Sequence, residues 1–421
     1  MSHASLFDIA ATVIGLAALF GYANFRWLKL PPTIGLVVIA LFASVSILLA
    51  DVVVPSLGLG NTVRSVLGRI DFHEALMKGM LSFLLFAGAL HIDLKDLAER
   101  RWAIGTLATV GVLLSTVILG YLFHGASIAL GQPLELGLCL VFAALISPTD
   151  TVAVLGILRT IGIPHSLKAK IAGESLFNDG VGVVVFTIIA ATVIGGERHG
   201  EISGVINISA LFLREAVGGG LLGLGLGYVA FVALRSINEH NLEVMITLAT
   251  VMITYSLALA LSLSGPIAVV IAGLLIGNHG TRLAMSPTTR EHVTRFWALL
   301  DEILNAALFL LIGFEVMAIS FDGSTLYLSL AAIPLALVAR LVSVAIPIRL
   351  LATRRRFTRG AIRVLTWGGL RGGISVALAL SLPAIPEKGL ILAATYAVVI
   401  FSIVVQGLTV SRVIDRIVPA E

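Results

Sequence analysis

Thirteen apolar runs of about 20 residues divide this chain, and each has the length an α-helix needs to cross the hydrocarbon core of a bilayer. They lie near 6–28, 33–55, 75–92, 102–123, 134–158, 167–195, 208–235, 241–262, 265–281, 294–319, 325–352, 361–384 and 388–412. Within lipid every backbone polar group must find its partner inside the protein, so spanning segments are helices or strands of a closed barrel. Runs this long leave only the helix. Hydrophobic residues make up 58% of the chain and charged ones 12%, about half the share usual in soluble domains. The expectation is an all-α polytopic membrane protein, one membrane domain over 1–421 with no soluble regulatory domain. The single cysteine, Cys139, rules out an intrachain disulfide and any Cys-built metal site.

The basic residues set the orientation. A net charge of +4 raises the question of nucleic acid, but placement answers it. If Met1 is outside, 20 of the 28 Lys and Arg residues fall on the inner side, the largest group being Arg349, Arg354, Arg355, Arg356, Arg359 and Arg363. The outer side holds Arg64, Arg69, Lys78, Arg198, Arg214 and Lys388, and Arg340 and Arg371 lie inside spans. The positive-inside rule then gives an outer N-terminus and a cytoplasmic C-terminus in a plasma membrane. Lipid is the expected partner and nucleic acid is not.

Two polar clusters break the apolar pattern: Ser147-Pro148-Thr149-Asp150-Thr151 in the fifth span, and Glu174-Ser175-Leu176-Phe177-Asn178-Asp179 in the sixth. Acids at membrane depth are expensive and mark ion pathways by default. A second interruption sits in the twelfth span, Gly368-Gly369-Leu370-Arg371-Gly372-Gly373. Proline removes a backbone donor and clustered glycines weaken a helix, so both spans are expected to unwind near mid-membrane. They are seven spans apart. An odd offset makes equivalent spans run in opposite directions, the inverted-repeat signature of secondary transporters, here two six-helix units.

Helical spacing orders the sixth span. Ser175 and Asp179 share one face, Glu174 and Asn178 the adjoining one. Ser175 and Asp179 are expected to line a cavity opposite Thr149 and Asp150, an all-oxygen set suited to a hard monovalent cation. Asp150 also reads as a helix N-cap after the break. Arg340 needs a buried acid, and Glu174 is the expected mate, with direct ion handling by Glu174 as the alternative. For Arg371 two partners stay open: the carbonyl dipoles at the crossing, or an acid on another span. Asp301, Glu302 and Asn305 suit either a cation-attracting entrance or a solvated helix end. Gly218, Gly219, Gly220 and Gly223 formally match a dinucleotide fingerprint, but inside an apolar span without a preceding strand they read as helix-packing glycines.

Together, Thr149-Asp150 in an interrupted span, Glu174-Ser175 and Asn178-Asp179 in the next, Arg340 and the Gly-Gly-Leu-Arg-Gly-Gly segment resemble the cation/proton antiporters of the NhaP and NHE type. The resemblance covers nearly the whole chain. It implies an NhaA-like antiporter fold, with a core bundle of about spans 4–6 and 11–13, crossed at the unwound spans 5 and 12. That core would move against a dimerisation bundle of about spans 1–3 and 7–10 in a homodimer. It also implies that Asp179 alternately binds a proton and Na⁺ or Li⁺, assisted by Ser175, Asp150 and the Thr149 backbone. Asn178, Arg340 and Arg371 would support that site, with Glu174 beside it and no cofactor. Thr151 departs from the proline or small apolar residue many relatives carry after Thr-Asp. A neutral Asn178 beside one exchanging acid predicts electroneutral one-for-one exchange, because relatives with two adjacent acids move more protons per cation. The alternative is a sodium-coupled solute symporter, since such transporters share broken helices and inverted repeats.

Overall fold

The computed structural model describes residues 6–54, 79–150, 165–194, 205–318, 323–353, 357 and 360–417. Thr151, the second half of the fifth span, and Arg64, Arg69, Lys78, Arg159, Arg198, Arg354, Arg355, Arg356 and Arg359 lie outside them. Among the described residues all regular structure is helical. The helices are α1 Leu6–Ala23, α2 Pro32–Val53, α3 Leu81–Leu90, α4 Leu94–Glu99, α5 Arg101–Ala129, α6 Leu136–Ile146, α7 His165–Ile194 and α8 Val205–Ser236. They continue with α9 His240–Ala260, α10 Gly265–Leu283, α11 Pro287–Glu315, α12 Gly323–Ala352, α13 Ala361–Trp367, α14 Gly373–Leu380 and α15 Lys388–Ile417.

Ten of these are long and apolar enough to cross a membrane, while α3 and α6 are shorter apolar helices. Large apolar side chains stay on the outside, such as Phe7, Phe42, Leu221, Tyr228 and Leu350. A lipid solvent makes that arrangement favourable, and the mean burial of apolar groups is not the driving force it is in water. Small residues and aromatic contacts fix the helix pairs instead. Methyl groups at Gly223 or Gly227 of α8 would meet the α10 backbone at Ala268 or Ala272, so the glycine run is a packing seam. Trp297 is fully buried against Phe86, with ring centroids 4.6 Å apart.

Contacts run mostly within two sets. Helices α5, α6, α7, α12 and α15 pack on one another, and α1, α2, α3, α8, α9, α10 and α11 do likewise. The sets meet where α7 touches α3, α8 and α10, where α2 touches α15, and where α11 touches α14. Single π-helical turns interrupt α5 at Leu107–Gly111, α10 at Ile276–Gly280 and α15 at Ser402–Gln406. Hydrophobic periodicity does not reveal such one-residue bulges, because they leave the apolar pattern intact on either side.

Candidate functional site

Both expected interruptions are present, and they cross. Helix α6 stops at Ile146, leaving 147–150 non-helical, and 368–372 separate α13 from α14. Unwound backbone at membrane depth has to be paired by the protein, and here the pairing can be followed atom by atom. The Arg371 guanidinium donates through one nitrogen to the carbonyls of Ser147 and Pro148, at 2.5 and 2.6 Å. Ser175 Oγ donates to the Thr149 carbonyl at 2.5 Å. Asp150 N–H donates to the Leu370 carbonyl at 2.7 Å, joining the two breaks directly.

The second break is closed in the same way. Gly368 N–H donates to Val364 O and Leu370 N–H to Gly368 O. Arg340 Nη2 donates to Leu365 O at 3.2 Å, and Gln406 Nε2 to Trp367 O at 3.0 Å. Ser402 Oγ accepts from Arg371 N–H at 2.8 Å. Each half-helix that ends at the crossing thus receives an arginine on its C-terminal carbonyls, where positive charge is favoured by the helix dipole. Of the two partners open for Arg371, the structure has the carbonyls.

Helix α7 supplies four polar side chains in six residues, all buried. Glu174 meets Arg340 with Oε1 and Nη1 2.6 Å apart. The N–H is not aligned on that oxygen, so charge rather than a directed hydrogen bond holds the pair. Asn178 clamps Thr149 from both ends of its amide: Oδ1 accepts from Thr149 N–H at 3.2 Å and Nδ2 donates to Thr149 Oγ1 at 2.8 Å. Positions 175 and 178 are one turn apart, and together they grip a single residue of the broken helix. A methyl group at Gly369 would lie 2.6 Å from Arg340 Nε. One at Gly372 would strike the Asp150 carboxylate, which sits over the first turn of α14.

A cavity of about 560 Å³ reaches this crossing. Asp150 and Asp179 are on its wall, together with Asp301, Glu302 and Asn305 of α11. Ser175 and Thr149 are not on it, contrary to the expectation for the Ser175 face. They lie behind the two acids, drawn into the pairing of the unwound chain. The α11 residues were legible only as an ambiguous polar turn. Asp301, Asn305 and Leu308 at spacings of four and three place one face of α11 toward the site, but spacing alone does not say what that face meets. A cation on the two wall acids would find further oxygens close behind in Thr149 and Ser175. Among the described residues no group of three His, Cys, Asp or Glu side chains suits a metal ion of the transition series.

The chain matches the family described as sodium/hydrogen exchanger, transmembrane, over residues 14–416. It is 47% identical over 417 residues to the Na⁺/H⁺ antiporter NhaP of Pseudomonas aeruginosa, covering 98% of this chain and 97% of that one. To the Na⁺/H⁺ antiporter NhaH of Halobacillus aidingensis it is 33% identical over 420 residues, covering 98% and 96%. Its fold is similar to that of the sodium proton antiporter MjNhaP1 from Methanocaldococcus jannaschii, solved at pH 8. That superposition has a TM-score of 0.73 over 96% of this chain and 97% of the other, at 18% identity.

Proposed function

The chain belongs to the sodium/hydrogen exchanger family, and from that premise we propose that one carboxylate, Asp179, is shared in turn by Na⁺ and a proton. Exchange of Na⁺ for H⁺ across a membrane is the activity of this multi-pass protein, as of the antiporters it matches. The observation that carries the finer reading is the charge set at the crossing, buried except for the partly exposed Asp150. Three carboxylates, Asp150, Asp179 and Glu174, stand against two guanidiniums, Arg340 and Arg371. One formal negative charge remains. A single Na⁺ or a single proton cancels it, and a second of either would leave the site positive in a low-dielectric surrounding, where unbalanced charge is strongly disfavoured.

Burial disfavours the charged form of an acid, and a nearby cation favours it. The two ions therefore exclude each other at Asp179. Only a neutralised site crosses the barrier readily, which couples the fluxes without a leak. Thr149, Ser175 and Asp150 complete the oxygen set for Na⁺ or Li⁺, and Glu174 with Arg340 holds α7 to the crossing. Thirteen crossings, with an outer N-terminus, a cytoplasmic C-terminus and a plasma-membrane location, belong to the same reading. So does a homodimer in which the α5–α7 and α12–α15 core moves against the other helices. The core motion is supported by contacts that are fewer between the two sets than within them, and by the placement of the cavity between α7 and α11.

Voltage tests the charge count. In proteoliposomes clamped at different potentials under a fixed pH gradient, Na⁺-driven proton flux should keep one rate. A rate that climbs steeply with potential would mean that more than one proton moves per cation.

A further inference from the structure

The cavity at Asp179 is one of two on the same pair of helices. A second, of about 650 Å³, lies further along α7 and α14, bounded by Val183, Thr187, Ala191 and Leu378 on one wall and by α8, α9 and the start of α10 on the other. Both helices run from the first cavity to the second: α7 from Leu176 and Asp179 to Thr187, α14 from Gly373 to Leu378. The two cavities therefore open toward opposite faces of the membrane. Four residues, about 6 Å of helix, separate Asp179 from Val183. At the inner end of the first cavity and just beyond it, side chains of the opposite bundle lie on core glycines. A methyl group at Gly180 would be 2.7 Å from Ile267, and one at Gly373 2.5 Å from Leu308.

Among the described residues the second cavity carries one acid, Glu215 of α8, half-buried and on the same wall as the buried Tyr255 and Ser264. Its backbone carbonyl accepts from Ser264 N–H at 3.1 Å, which pins this turn of α8 to the loop before α10. Arg214 is exposed at the next position, about 100° round the helix, and is not on the cavity wall. The ammonium of Lys388, near the rim, donates to the carbonyls of Leu380 and Leu382. A carboxylate on a cleft wall where no other charged side chain lies among the described residues concentrates cations there. The transport cycle described above has no use for this residue, since the site at Asp179 is complete without it.

We infer that Glu215 is a cation-recruiting carboxylate of the second cavity, which loads Na⁺ and protons from the face opposite to the one served by the Asp179 cavity. The inference rests on the antiport reading and deepens it. When the core moves and Ile267 and Leu308 leave Gly180 and Gly373, Asp179 would meet the space that Glu215 already supplies with cations. Glu215 is a positioning residue for the ion, not part of the exchanging site.

The test is one-sided transport in right-side-out and inside-out membrane vesicles, with Na⁺ offered at one face at a time. Glu215→Gln should raise the apparent KM for Na⁺ at one face by about fivefold, the factor for one unit charge a few ångströms away in a near-aqueous dielectric. KM at the other face and kcat should stay as in the unaltered protein. The difference should shrink at high ionic strength, where screening removes steering, and Glu215→Asp should restore most of it. Thr187→Lys, an exposed position on the facing wall, should raise KM at the same face independently, in case the glutamine variant does not fold. Under the orientation proposed above that face is the outer one; a shift confined to the cytoplasmic face would invert the topology and still support the recruiting role. Equal KM shifts at both faces, or none, would overturn it. Failure of the antiport reading would show separately, as absence of Na⁺-driven proton flux in the unaltered protein.

Discussion

Asp179 and Asn178 are neighbours with opposite assignments, and the difference lies in what each amide or carboxyl oxygen touches. Asn178 uses its donor and its acceptor on Thr149, while Asp179 borders the cavity. Asp179→Asn should therefore abolish Na⁺-dependent proton flux while the protein still inserts and melts near the usual temperature. Retained exchange in that variant would remove Asp179 from the mechanism. Glu174 is different again. Removing one member of a buried ion pair typically costs about 3–5 kcal/mol, so Arg340→Ala should lower thermal stability markedly in detergent. Replacing Glu174 and Arg340 together by glutamines keeps the net charge of the site and should recover part of the transport that either single change loses. The acids and arginines were legible in the sequence because ionisable groups at membrane depth are rare. The clamp made by Asn178 was not, since a neutral amide on a helix face gives no hint of its partner.

Among the helices, the two broken ones cross beside α7 at the proposed site, and their interruptions are readable from Pro148 and from the glycines of 368–373. Gly372 shows why glycine is needed there. Gly372→Ala places a methyl group on the Asp150 carboxylate, so transport should fall at least tenfold by proton-flux assay. Gly225→Ala, where a methyl group meets nothing within 4 Å, should leave it unchanged. Arg371→Ala should be poorly folded by size-exclusion profile, because the Ser147 and Pro148 carbonyls lose their donor at a depth where water does not replace it. What the sequence did not disclose at this scale is contact between elements. The crossing bond from Asp150 N–H to Leu370 O joins residues 220 positions apart, and no local pattern encodes it. The α11 acids stayed ambiguous and the π-helical turns hidden for the same reason: their meaning depends on what packs against them.

For the whole molecule, hydropathy went a long way, because a bilayer restricts the chain to helices. The grouping of helices, the two cavities and the thin apolar seal between them are properties of tertiary packing. In the proposed cycle Asp179 is approached from one face while the other cavity waits behind Ile267 and Leu308. In that cycle Na⁺ and a proton compete for one carboxylate. The most direct measurement is the apparent KM for Na⁺ in proteoliposomes across a pH series, at saturating and limiting cation. If one proton and one cation exclude each other, KM should fall about tenfold per pH unit through the acidic limb and then level off, with the maximal rate reached at each pH by adding Na⁺, as linkage between two ligands of one site requires. A KM for Na⁺ that stays constant across that series would contradict the account.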